Sequence, residues 1–415
     1  MDKKRIGIIS TRLAGTDGVS LETIKWVQIL ESLGQECFYF AGEIDYPDER
    51  SYLAPEAHFF HPEIESLNTA LFNASARSPE VSRRVQQLKD HLKDHLYRFL
   101  RQFRLDLLIV ENALTLPMNV PLGLALVELI AETDIPTIAH HHDFAWERTR
   151  YAITGADDYI RTAFPPTLRS IYHVVINSFA ARQLALRTGA SSMLIPNVMD
   201  FETPPPPVGE YADDLRAALA IADDELFLLQ PTRIVPRKRI EQAINLTRRL
   251  ERKAALVISH ASGDEGSEYE AYLRDYAQAM GVRLIFAADR IAHDRGRTDE
   301  GHKIYSLGDA YHHADLVTYP SVIEGFGNAF LETLYFSRPI VMSTYEIFKT
   351  DIQPKGFRVV GFDEFITEET VRQSLNLLDN PALVEEMVAH NYELGRTYYS
   401  YRVLEEHLVA LLGEM

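Results

Sequence analysis

Tyr319-Pro320-Ser321-Val322-Ile323-Glu324-Gly325-Phe326-Gly327-Asn328-Ala329-Phe330-Leu331-Glu332 reads as the end of a strand, a loop with two glycines, and the opening of a helix. Pro320 closes the strand, Gly325 and Gly327 let the backbone approach another molecule closely, and the apolar run that follows starts the helix. A helix start leaves backbone N–H groups without intrahelical partners, so one placed at a strand's carboxyl end suits phosphate. Glu324 falls in the loop and Glu332 about two turns along the helix, where two carboxylates can accept hydrogen bonds from the hydroxyls of one sugar. A bare pair of acids at this spacing is common by chance; the glycines and the preceding strand give it weight.

The same alternation of strand and helix runs outward in both directions. Short apolar or β-branched runs at 226–230, 255–259, 284–287, 316–320 and 339–342 alternate with stretches of helical length, which predicts a parallel sheet covered by helices on both faces. An earlier set at 5–10, 37–40, 107–110, 136–140, 174–177 and 193–196 predicts a second such sheet. Among the helices, residues 21–33 place Ile24, Val27, Leu30 and Leu33 on one face. Four successive prolines, Pro204 to Pro207, fit neither a helix nor a central strand and mark the linker. The expected organisation is α/β throughout: a first doubly wound, Rossmann-like domain over 1–202, a second over 203–390, and a terminal helix over 391–415 that caps the second domain or crosses back to the first. Residues 66–104 read as a charged helical pair or one long helix, with Lys89-Asp90 and Lys93-Asp94 on a solvated face.

The 415 residues exceed what one core supports, and no window carries the roughly 18 unbroken apolar residues of a membrane span. The N-terminus runs straight into the first strand without a signal-peptide core. Cys37 is the single cysteine, which excludes an internal disulfide and a thiolate zinc cluster and fits a reducing cytoplasm. A formal charge of −18 argues against a nucleic-acid partner and against stable membrane association. The chain is expected to be a monomer or homodimer.

Three further segments carry chemistry. Arg233 and Lys238 follow the strand at 226–230 and precede a helix near Ile240, so they stand at the carboxyl edge of the sheet, where ligands bind. Fixed cations there suit an anionic ligand. Arg237 and Arg239 read as solvent or packing residues. Near the start, Thr11 to Ser20 holds Arg12, Gly15 and Gly18 between the first strand and its helix, and Asp17 with Ser20 would equally serve as a cap. The third segment is Pro136-Thr137-Ile138-Ala139-His140-His141-His142-Asp143-Phe144-Ala145-Trp146-Glu147. Side chains alternate along a strand, so at most His140 and His142 could share a ligand, and a zinc site is not the expected reading.

Taken together, Glu324 and Glu332 with their glycines, preceded by Tyr305 to Leu316, resemble the Glu-x7-Glu motif of retaining GT-B glycosyltransferases, in particular glycosyltransferase family 4. The loop from Thr11 to Ser20, His140-His141-His142-Asp143-Phe144 and Ile352-Gln353-Pro354-Lys355-Gly356-Phe357 resemble the members of the sucrose-phosphate synthase and compatible-solute glycoside synthase kind. The resemblance implies two Rossmann-like domains facing each other across a cleft. It implies that Glu324 contacts the donor hexose, that Gly325, Phe326, Gly327, Asn328 and Ala329 lie against sugar and pyrophosphate, and that Glu332 holds the ribose. By the same resemblance Arg233 and Lys238 grip the pyrophosphate, His142 stands near the reacting centre, and Gly15 and Gly18 approach the donor from the first domain. Arg12, Asp143, Trp146, Arg148 and Arg150 are the acceptor candidates, although a Trp is as readily core.

The implied activity is metal-independent transfer of glucose or mannose, with retained configuration, from a UDP- or GDP-hexose to a small soluble, anionic acceptor such as a sugar phosphate or glycerate. No cofactor is required, and no Asp-x-Asp tripeptide occurs. A lipid or polysaccharide acceptor, a nucleotide-sugar 2-epimerase of the same architecture, and a binding protein with a dead site remain as rivals.

Overall fold

The computed structural model describes residues 2–262 and 268–415. The chain divides into two compact units, one formed by Met1–Asn197 with Leu404–Met415 and one by Val198–Val403.

The first unit is built on strands β1 (Arg5–Ile9), β2 (Glu36–Ala41), β3 (Ser51–Leu53), β4 (Leu107–Glu111), β5 (Thr137–His141), β6 (Ile171–Val175) and β7 (Ser192–Leu194). They form one parallel sheet in the order β3-β2-β1-β4-β5-β6-β7. Helices α1 (Gly18–Ser32), α2 (Pro62–Leu71), α3 (Pro79–Phe103), α4 (Val120–Thr133), α5 (Asp157–Ala163) and α6 (Ser178–Thr188) make the crossovers. The central strands are buried on both faces, which is why β1 and β4 read as unbroken apolar runs. The strand order reverses between β1 and β4, so the loops after β1, β4 and β5 share the sheet edge where α/β folds bind ligands.

The charged helical pair expected over 66–104 is α2 and α3, but the lysines of α3 are not on a solvated face. Lys89 is buried and donates to Glu128 at 2.6 Å, while Lys93 donates to Glu128 at 2.8 Å and Glu132 at 3.0 Å. Both acids lie on α4, so the lysines close the polar margin of the seam between the two helices.

The second unit begins with α7 (Leu215–Ala218) and has the sheet order β10-β9-β8-β14-β15-β16. Its strands are β8 (Leu226–Gln230), β9 (Ala254–Ile258), β10 (Arg283–Phe286), β14 (Leu316–Tyr319), β15 (Ile340–Ser343) and β16 (Val360–Phe362). A separate small sheet joins β11 (Ile291–Ala292), β12 (Gly296–Arg297) and β13 (Lys303–Ser306). Its helices are α8 (Ile240–Arg249), α9 (Glu268–Met280), α10 (Leu307–His313), α11 (Asn328–Tyr335), α12 (Glu368–Asp379) and α13 (Pro381–Tyr398), and the chain ends with α14 (Tyr401–Gly413), most of which groups with the first unit. Here the order turns between β8 and β14, which places Arg233 and Lys238 after one of these strands and Glu324 after the other.

The division differs from the expected 1–202, 203–390 and 391–415. It falls after Asn197, and the proline run lies inside the second unit. Met199 already donates its N–H to Tyr399 O at 2.8 Å, and Phe201 is buried with its ring 5.2 Å from that of Tyr392. The chain has therefore committed to the second unit before it reaches Pro204, and the prolines only stiffen a surface segment. The terminal helix is two helices, interrupted at Tyr399 and Ser400; the last twelve residues group with the first unit, and residues 391–403 stay with the second.

Candidate active site

In the second unit, β8 ends at Gln230 and the chain turns through a short 3₁₀ segment, Pro236–Lys238, before α8. That turn sends Lys238 inward, where it is buried and forms an ion pair with Glu324 Oε1. Arg237 reaches the other oxygen, with Nη1 3.7 Å from Glu324 Oε2, and donates to Ile323 O at 3.4 Å. Arg237, expected to serve only solvent or packing, is thus the second cation of this carboxylate. Burial alone would raise the Glu324 pKa, but Lys238 and Arg237 outweigh it and hold the carboxyl below its ordinary value. Burial lowers the Lys238 pKa more than Glu324 restores it. Arg233 differs from both: it is exposed and makes no side-chain hydrogen bond or ion pair among the described residues.

His260, just past β9, completes this edge and was not among the expected site residues. Burial, with Lys238 and Arg233 nearby, pushes its pKa down to about 4, so the ring is neutral at pH 7. Ser259 Oγ lies 2.8 Å from its Nδ1. Its position after a strand at the ligand-binding edge is the same signal that identified Arg233.

The glycine loop is held from below. Gly327 has φ +117° at the N-cap of α11, and a β-carbon there would collide with the Tyr345 hydroxyl, which donates to Phe326 O at 2.6 Å. Only glycine lets the loop lie so close to Tyr345. Phe326 and Ala329 are buried, and Gly325 and Asn328 lie in the same turn. Glu332 is on α11, where Tyr311 donates to its Oε2 at 3.0 Å.

In the first unit, the three histidines separate by face as strand alternation requires. His140 and His142 share one carboxylate, that of Glu111 at the end of β4: His140 Nδ1 is 2.9 Å and His142 Nε2 3.1 Å from Oε2. His141 points the other way, to Thr115 Oγ1 at 2.5 Å and His173 Nδ1 at 2.9 Å. Burial opposes the charge on Glu111, yet the two imidazoles overcome it and hold its pKa at about 2. Burial also opposes charge on His142, but Glu111 raises it above the ordinary histidine value, whereas for His140 burial wins and the pKa falls. Of the two rings, His142 is the one that Glu111 favours in its charged form. Trp26 of α1 stacks on His140 at 4.3 Å and fixes the far side of the cluster. Glu111 closes an apolar strand run, and sequence reasoning passed over it.

The remaining candidates fall into two groups. Asp17 caps α1, accepting from Val19 N at 3.0 Å and Ser20 N at 3.2 Å, and it pairs with Arg12 at 2.9 Å. Gly15 has φ +73° and donates to Asp45, while Gly18 is the first residue of α1 and needs no special conformation. Arg148 is bound through Nη2 to both oxygens of Asp143, at 2.6 and 2.7 Å, so these two engage each other. Trp146 stacks on Phe144 at 4.3 Å under Arg187, which is the core-like alternative for it. Arg150 lies over the Tyr151 ring and lines a cavity of about 300 Å³ with Phe59, Phe60, Asn68 and Phe72. Arg12 stands 5.2 Å over the Phe59 ring.

No family model matches the chain. It is 32% identical over 392 residues to the mannosylglucosylglycerate synthase of Petrotoga mobilis, covering 86% of each chain. It is also 32% identical over 436 aligned positions to the protein of the same name from Thermotoga maritima, covering 97% of this chain and 98% of that one. Among solved structures, the sucrose-phosphate synthase of Thermosynechococcus elongatus superposes with a TM-score of 0.66 at 14% identity, over 99% of each chain, a likeness of fold.

Proposed function

Because the chain belongs to the mannosylglucosylglycerate synthase family, GT-B glycosyltransferases of two Rossmann-like units, we propose that it moves glucose or mannose from a UDP- or GDP-sugar to a small anionic acceptor of the glycerate type. The observation that carries the donor half is the Lys238–Glu324 pair beside exposed Arg233 and the Gly327 helix start, at one sheet edge of the second unit. An exposed guanidinium without a partner among the described residues and a buried ammonium suit a diphosphate, and Glu324 keeps that ammonium compensated until the donor enters. With the phosphates on the cations, Glu324 and Glu332 accept from hydroxyls of the hexose and ribose.

In the transfer, the bond from the anomeric carbon to the phosphate oxygen breaks and a bond to the acceptor hydroxyl oxygen forms on the same face. The acceptor's proton passes to the departing phosphate oxygen. No protein nucleophile and no metal ion is required; Arg233 and Lys238 stabilise the charge that develops on the diphosphate. His142, whose pKa Glu111 raises, is the first-unit group assigned to the reacting sugar. For the acceptor, the aromatic cavity carrying Arg150, with Arg12 over Phe59, offers apolar faces to sugar C–H groups and cations to a carboxylate.

We place the protein in the cytoplasm, as a monomer or homodimer without stable membrane association. In support, no described helix is long and apolar enough to cross a membrane, and Cys37 is buried and free.

The test is to incubate the protein with UDP- and GDP-glucose and -mannose, with and without glycerate or glucosylglycerate, and to follow products by mass spectrometry. Release of nucleoside diphosphate that depends on one acceptor, with a glycoside of matching mass, is expected. An epimerised sugar without acceptor consumption would replace this reading with the epimerase.

A further inference from the structure

Glu56, His91 and His95 form a second cluster of potential metal ligands in the first unit, separate from Glu111 and its histidines. Each offers one ligand atom, and these atoms lie within 4.8 Å of one another. His91 and His95 are one turn apart on the same face of α3, with ring centroids 4.6 Å apart. Glu56 comes from the 3₁₀ turn Pro55–Ala57 that follows β3, and its Oε1 is 3.5 Å from His91 Nε2.

Two contacts hold this arrangement in place. Asn119, itself buried, donates from Nδ2 to the carbonyls of Glu56 at 2.9 Å and Ala57 at 3.0 Å, which pins the turn. Tyr52 Oη lies 3.0 Å from His95 Nδ1, which leaves Nε2 as the nitrogen for a ligand. An imidazole whose second nitrogen is tied to an outer partner is the usual state of a metal-binding histidine. The side chain of His91 is 46% exposed and that of Glu56 27%, so an ion can reach the cluster and keep a water ligand.

We propose that Glu56, His91 and His95 bind a divalent transition-metal ion, with Zn²⁺ the species that two imidazoles and one carboxylate suit. Ligand atoms about 2.1 Å from a tetrahedral ion stand ~3.4 Å apart, so movements of about an ångström close the shell. The ion fastens the Pro55–Ala57 turn to α3, and the chain that leaves this turn supplies Phe59 and Phe60 to the aromatic cavity. Its role is to stiffen that wall, outside the transfer chemistry.

The experiment uses the full chain, stripped with a chelator, desalted and titrated with ZnCl₂ by calorimetry in the absence of any substrate. CoCl₂ is added in a parallel series followed by visible absorption. The wild-type chain is expected to take up zinc at this site, to show the intense visible bands of low-coordinate cobalt, and to melt at a higher temperature with zinc. His91→Gln and His95→Gln are each expected to weaken zinc binding at least tenfold and to lose the thermal gain, with far-ultraviolet circular dichroism unchanged. Failure of the wild-type chain to bind zinc, or equal binding in both variants, overturns the proposal; equal binding would move the ion to another cluster such as Glu111, His140 and His142. Neither outcome bears on glycosyl transfer.

Discussion

Arg233 and Lys238 carry the same charge at one sheet edge but sit in opposite surroundings, and this separates what their loss should do. Arg233→Ala removes an exposed guanidinium that has no partner among the described residues, so we expect turnover to fall more than about tenfold, at least ~1.4 kcal/mol of transition-state stabilisation, with the melting temperature unchanged. Lys238→Ala should cost as much activity and also stability, because Glu324 is left buried beside Arg237 alone. Steady-state kinetics and thermal melts on both variants check this; wild-type rates in Arg233→Ala would discard the donor-site assignment. Glu111→Gln tests the other unit. Without that carboxylate His142 loses what raises its pKa, so its titration, followed by NMR of the ring C–H signals, should move to lower pH, and turnover should fall. An unmoved titration would show that Glu111 does not set the charge of His142. The positions of Arg233, Lys238 and Glu324 just past strand ends, and the common face of His140 and His142, were legible because strand ends and strand alternation are sequence patterns. Arg237 and Glu111 were not: which of several adjacent cations turns inward is decided by the 3₁₀ turn Pro236–Lys238, and the partner of two histidines comes from a neighbouring strand.

The glycine loop before α11 makes a prediction about backbone rather than charge. Gly327→Ala places a β-carbon against the Tyr345 hydroxyl at a φ that L-residues avoid, so we expect a destabilisation of about 1–3 kcal/mol and loss of donor binding. Adding Tyr345→Phe removes the clashing oxygen but not the strained φ, and should recover only part of the stability. Full recovery in the double variant would show that contact, not conformation, demands glycine. Most strands were read to within a residue or two from their apolar runs, β8 among them. The run at 174–177 was placed too late, since Asn177 leaves the strand to cap α6, accepting from Ala180 N at 2.7 Å. The edge strands β3 and β16 span three residues each and are partly exposed, so they lack the buried run that betrays a strand. Along α3, sequence spacing showed the helix but not that Lys89 and Lys93 meet acids of α4, because such pairing depends on how two helices cross.

The division of the chain was legible as two successive α/β alternations, while its exact joint was not, because long-range contacts such as Met199 to Tyr399 decide it. Two predictions concern the molecule entire. If cations of the chain neutralise the diphosphate, EDTA should leave turnover intact in the wild type and in His91→Gln, the latter keeping the test independent of the proposed zinc. Loss of activity restored by Mg²⁺ or Mn²⁺ would refute metal-free transfer. Acid stability follows from the buried imidazoles. His141 and His173 in the first unit and His260 in the second are held neutral chiefly by burial, His173 and His260 with pKa values near about 4. A lowered histidine pKa means that the unfolded chain, titrating near about 6.5, binds protons more readily. The stability these rings contribute is therefore complete above about 6.5 and is lost as the pH falls toward about 4. Glu111 does not cancel this, since its carboxylate stays charged until about 2, and His142, with its raised pKa, contributes fully below the unfolded value. The melting temperature, followed by circular dichroism from pH 7.5 down to pH 4, should fall steadily below about 6.5. A flat profile across that window would mean that these imidazoles are not buried in their neutral form.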